Sequence, residues 1–119
     1  MRTLTPAQAD DVRTALQHAE RRSGLRFSAF LGASADGRRH FAERLHAAMG
    51  EESPDAVLIL IDPEGRGLEI VTGENARRRL SDGACRLAAM SMATAFSAGD
   101  LAGGLLYGIN TLAEQATRR

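Results

Sequence analysis

An uninterrupted run of six apolar residues, Ala56-Val-Leu-Ile-Leu-Ile61, closes on Asp62. It is too short for a long helix and rich in branched side chains, which fits a strand covered on both faces. The run is expected at the centre of a sheet. Pro63, Gly65 and Gly67 follow as turn residues and a second apolar run, Leu68 to Thr72, comes after them, so the pair predicts a β-hairpin. Upstream, Leu25, Phe27, Ala29 and Leu31 alternate with Arg26, Ser28 and Phe30, the period of a strand with one strongly apolar face.

Helical spacing fills the intervals. Thr5, Pro6 and Gln8 form a helix start: a capping hydroxyl, proline in the first turn, and a glutamine that reaches back to the cap's amide. Val12, Ala15, Leu16 and Ala19 then share one side, and Gly24 suits a left-handed end. After a small-residue loop from Gly32 to Gly37, Phe41, Leu45, Ala48 and Met49 recur at helical spacing until Gly50. A strand, a helix and the central strand in that order predict a right-handed crossover between parallel strands.

Beyond the hairpin, Glu74 to Leu80 reads as a short helix or turn carrying Arg77, Arg78 and Arg79. A long helix starts at Ser81 or Asp82 and is apolar nearly all the way round, so it is expected to be largely buried. Gly99 ends it, Asp100 caps the last helix, and Leu101, Leu105, Ile109 and Leu112 give that helix its core stripe. Gly103, Gly104 and Gly108 each cost roughly 1 kcal/mol against alanine inside a helix. Gly104 and Gly108 share a face, where another helix can approach closely. The fold class is therefore α/β: a single-domain sandwich over residues 1–119, with a small mixed sheet, a parallel strand-helix-strand crossover, a hairpin, and helices on both faces.

Composition narrows the chemistry. A length of 119 residues suits one domain, and a formal net charge of zero with a pI near 6.8 argues against a general nucleic-acid binder. All 15 Lys-or-Arg positions are arginine, which excludes lysine Schiff-base and lysine general-base mechanisms. Cys85 is the only cysteine, so no internal disulfide or cysteine-pair zinc site can form. No apolar stretch reaches the length of a membrane span and no signal-peptide core follows Met1, so a cytoplasmic protein is expected.

Several residues carry candidate chemistry. Asp82 and Asp100 fit two roles, calcium ligand and helix N-cap, and Asp62 fits both an acidic cluster and a turn-starting aspartate. A helix of about 16 residues, roughly 24 Å at 1.5 Å per residue, separates Asp82 from Asp100. Any calcium site is therefore expected at Asp82 with Asp62 and the carbonyls of the Gly73 to Asn75 turn, with Asp100 left as a cap. Arg77, Arg78 and Arg79 suit a phosphate or, more simply, a solvated face. His18, His40 and His46 lack metal-ligand spacing and are expected at the surface. No nucleophile elbow, P-loop or dinucleotide fingerprint occurs.

Three ordered blocks carry a family resemblance: Val-Leu-Ile-Leu-Ile-Asp62, then Leu-Glu-Ile-Val-Thr-Gly73 followed by Asp82, then Phe96-Ser-Ala-Gly-Asp-Leu-Ala-Gly-Gly104. Together they resemble the TPM domain, a superfamily that includes thylakoid lumen proteins of photosystem II repair, and more closely its short actinobacterial members. The resemblance implies an α/β sandwich and links to calcium binding, acid phosphatase activity and membrane-complex assembly. Asn75 stands where typical members keep a second glycine. With no activated nucleophile or acid-base pair evident, the reading is a non-catalytic binding or regulatory module with a protein partner. The alternative is a calcium-dependent acid phosphatase of the TPM type using Asp62, Asp82 and Asp100.

Overall fold

The structure is a computed structural model that describes residues 3–34 and 37–117. In chain order it contains α1 (Pro6–Ser23), β1 (Arg26–Leu31), α2 (Arg38–Ala47), β2 (Ala56–Asp62), β3 (Gly67–Thr72), α3 (Asp82–Ser97) and α4 (Leu101–Thr117), with short 3₁₀ turns at Gly50–Asp55 and Ala76–Arg78. The 3₁₀ turn before β2 carries Pro54 and has no periodicity that sequence could show. The α/β class holds, and the centre of the Gly32 to Gly37 loop lies outside the described residues.

The sheet has the order β1-β2-β3, with β1 parallel to β2 and β3 antiparallel to it. Every residue of β2 is buried, as a run without polar alternation requires. Its odd-numbered side chains, Val57, Ile59 and Ile61, enter a core shared with α1, α3 and α4, while Leu58 and Leu60 meet Ala42, Phe41 and Leu45 of α2 on the other face. Phe30 and Phe41 pack edge to face there, 5.7 Å apart. The parallel crossover through α2 and the hairpin from Asp62 to Gly67 thus stand as expected.

The helix ends follow the sequence chemistry. Thr5 and Gln8 form a reciprocal capping box on α1, and Gly24 closes it at φ 79°. In the helix layer α4 is central, in contact with both α1 and α3. A Cβ at Gly104 would sit 2.8 Å from the Ala95 Cβ, and one at Gly108 would be 2.6 Å from the Met92 Cγ, so both glycines let α4 close on α3. Gly103 has a different reason, because the Asp100 carboxylate folds over it to accept its N–H at 2.9 Å.

One expectation needs correction: α3 is not largely buried. Only Ala88 and Met92 are, and Leu87 and Met90 are 66% and 61% exposed. An alanine-rich helix can serve as the margin of a layer because its small side chains make little core wherever they point. Composition all round a helix cannot distinguish that place from a central one.

Both sheet edges are guarded at one end. Gly32 donates to the Ile61 carbonyl, so the odd-numbered amides of β1 face outward, where Ser23 Oγ takes the Leu25 N–H at 3.1 Å and Glu20 takes the Phe27 N–H at 3.0 Å. On β3 the even-numbered groups face outward, and Arg39 and Arg77 donate to the Ile70 and Thr72 carbonyls at 3.0 and 2.7 Å. Side chains in these places block edge-to-edge pairing with another chain.

Candidate functional site

At the carboxyl end of β2 the hairpin turn, the loop after β1 and the α3–α4 joint converge. On the α2 side of this end lies Asp62, only 7% exposed. Its Oδ1 accepts the Gly65 N–H at 3.0 Å, and its Oδ2 accepts the Ser34 N–H at 3.1 Å and the Ser34 hydroxyl at 2.9 Å. These bonds, the Gly65 amide first and Ser34 next, hold the carboxyl below its usual range despite partial desolvation. Arg38 adds a favourable field and lies where a Cβ at Gly67 would fall. Asp62 is therefore a strut that ties the hairpin turn to the loop after β1.

At the same strand end, toward α3 and α4, opens a pocket of about 300 Å³ that Asp62 helps to line. Its walls are Ile61, Leu68, Ala93, Phe96 and Leu101, with Arg66, Ser97 and Gly99 among the rest of the lining. Arg66 is exposed at φ 56°, the only non-glycine residue with positive φ among the described residues. That conformation is disfavoured for a side chain with a Cβ, and it holds the arginine at the rim. The guanidinium has no ion pair or hydrogen bond among the described residues.

The acidic residues singled out from sequence do not converge. Asp62 shares its end of the molecule with the last turn of α3 and the start of α4. Asp82 is the first residue of α3, so the full helix, about 24 Å long, separates it from that end. The structure thus places Asp62 and Asp82, the expected ligand pair, toward opposite ends of α3, because the antiparallel return of β3 carries the chain away before α3 begins. Ser81, rather than Asp82, caps α3 by accepting the Ala84 N–H at 3.1 Å, while Asp100 caps α4. Among the described residues no group of three or more His, Cys, Asp or Glu could hold a metal ion.

Other candidates have structural work. Arg77 donates to Thr72 and Arg79 to the Ala116 carbonyl at 2.9 Å, so two of the three arginines brace backbone rather than form a free cationic face. His46 is not simply on the surface: its Nε2 lies 3.1 Å from the Ala56 carbonyl. It borders a shallow polar groove with Arg39, Glu43, Glu74 and Arg77 at the far end of the sheet. Gly73 lies there too, and its missing side chain admits the carbonyls of Ser53 and Pro54. The thiol of Cys85 is pushed up by burial and by Asp82, with Arg39 opposing. The pocket itself was not anticipated, though Arg66 between Gly65 and Gly67, and the Phe96 to Leu101 stretch, were legible parts of it.

Comparison with known proteins bears on the family. The family described as "Domain of unknown function (DUF5130)" matches residues 4–113. This overturns the resemblance to the TPM domain, whose short blocks encode a strand, a turn and a helix start that unrelated names can share. An uncharacterised protein of Mycobacterium tuberculosis strain H37Rv is 33% identical over 100 residues, covering 82% of this chain and 58% of that protein, and one from strain CDC 1551 matches equally. The chain thus spans under two thirds of these relatives. Among solved structures, the BA42 protein of Bizionia argentinensis superposes with a TM-score of 0.83 at 18% identity, covering 95% of this chain and 81% of that one. The N-terminal domain of a P. gingivalis protein gives 0.80 at 23%, covering 94% and 75%, and that of a Corynebacterium glutamicum protein gives 0.77 at 14%, covering 96% and 74%. At these identities the likeness is one of fold.

Proposed function

We propose that this chain, which belongs to the DUF5130 family, is a non-catalytic binding module whose site is the pocket between the hairpin turn and the α3–α4 joint. The observation that carries the reading is the division of labour across the end of β2. The buried acid is held by three hydrogen bonds from Ser34 and Gly65, and beside it opens a concavity of mixed polar and apolar lining with an unpaired cation at its rim. A carboxylate fixed in that way positions loops and is a poor proton carrier. A concavity that combines apolar side chains with a few placed polar groups is the usual form of a ligand site.

The reading fits a regulatory role as well, since a ligand seated there would touch β2, the hairpin, α3 and α4. A thermal-shift screen of small metabolites against wild type and Ala93→Phe tests it. Ala93 lies in the wall and is exposed, so a phenyl group fills the pocket without disturbing the core. The expected result is a set of compounds that raise the melting temperature of wild type and leave the filled variant unmoved. Compounds that stabilise both equally, or turnover of p-nitrophenyl phosphate dependent on calcium, would contradict it.

A further inference from the structure

We propose that the pocket takes a small carboxylic acid with an apolar tail, the tail among Leu68, Phe96 and Leu101 and the carboxylate on Arg66. This rests on the pocket being the binding site. The apolar part of the wall sets the tail: Ile61, Pro63, Leu68, Ala93, Phe96 and Leu101 line it beside the polar Asp62, Arg66 and Ser97, and about 300 Å³ gives room for about ten water-sized groups. Arg66 sets the head. A guanidinium forks onto a carboxylate with two parallel hydrogen bonds, and here it has no competing acid within salt-bridge distance among the described residues.

The acids around Arg66 leave it unpaired: Glu64, in the same turn, forms no ion pair with it, Asp62 lines the pocket but has both carboxylate oxygens bonded to Ser34 and Gly65, and Asp100 lies over Gly103 at the start of α4. The backbone supplies an independent pointer. Glycine at position 66 would relieve the left-handed conformation, and its neighbours on both sides are glycine already, yet an arginine stands there at φ 56°. A strained residue at a cavity rim whose side chain has no partner in the fold points to a ligand contact.

The test is an amide-shift titration of the full chain with octanoate and with octan-1-ol, repeated on Arg66→Gly. Octanoate is expected to move the amides of Arg66, Gly67, Phe96 and Gly99 and to bind roughly tenfold more tightly than the alcohol. Arg66→Gly should melt no lower than wild type while its octanoate affinity falls to that of the alcohol. This opposition separates a ligand contact from a structural role. Equal binding of acid and alcohol, or full octanoate affinity in Arg66→Gly, overturns the carboxylate while the pocket stands. Silence of these amides toward both ligands also overturns the inference, and the pocket-filled variant then decides the binding reading separately.

Discussion

Replacing Gly104 with leucine probes the contact that joins the two helices bordering the pocket. An added Cβ would stand 2.8 Å from both the Ala95 Cβ and the Phe96 Cε1. Carbon atoms in contact rest at about 3.5–4.0 Å, so the helices must part by roughly 1 Å. Ala95 has no rotamer through which to retreat. Overpacking of this kind costs about 1–3 kcal/mol, set against about 1 kcal/mol gained in helix propensity when glycine becomes alanine. Gly104→Ala is therefore expected to lose up to about 2 kcal/mol, and Gly104→Leu, with three further carbons in the same gap, about 3 kcal/mol or more. For a chain of this size about 4 °C of melting temperature corresponds to each kcal/mol, so the leucine variant should melt roughly 12 °C lower. Thermal unfolding followed by circular dichroism, with urea titration to check that the m-value is unchanged, measures it. Asn110→Leu, on the exposed face of the same helix, is the control. A leucine variant within about 2 °C of wild type would show that α4 does not close on α3 at this point.

Three further outcomes follow from the same geometry. Cys85, half-buried with its thiol pushed up by desolvation, should react with an aromatic disulfide far more slowly than free cysteine at neutral pH and faster as pH rises, and immediate labelling would place it at the surface. The Asp62 carboxyl is held below the ordinary aspartate range by the Gly65 and Ser34 hydrogen bonds, so its contribution to stability is complete above that range and is lost as pH falls through the lower folded value. Wild type should accordingly exceed Asp62→Asn in melting temperature at pH 6 and converge with it in strong acid; a constant gap across that range would contradict the strut. Removing the edge guards with Arg39→Ala and Arg77→Ala together bares the Ile70 and Thr72 carbonyls, and sedimentation should then show concentration-dependent association that wild type lacks.

Local chemistry made much of the fold legible. The unbroken run at Ala56–Ile61 needs cover on both faces, the Thr5–Gln8 box needs only its own helix, and Gly104 with Gly108 announces a close neighbour by spacing alone. What stayed hidden depends on partners distant in sequence. The Asp62 bond to the Gly65 N–H is that of the turn-starting aspartate read from sequence, but its tie to Ser34, 28 residues away, is one that nothing near Asp62 in the chain indicates. The margin position of α3 follows from α4 taking the centre of the layer, a choice made by packing between helices rather than by either helix alone. Arg79 bracing Ala116 across 37 residues is of the same kind, as is His46 beside the Ala56 carbonyl. The pocket is legible only in its parts, because the hairpin turn and the α3–α4 joint must first be brought together.

The most direct measurement is amide-shift mapping of the labelled chain in a small-molecule extract of its native host. The account predicts changes clustered on Gly67, Leu68, Phe96, Ser97, Gly99 and Leu101, lost in Ala93→Phe. Changes clustered instead on His46, Gly73, Glu74 and Arg77, at the far end of the sheet, would contradict it.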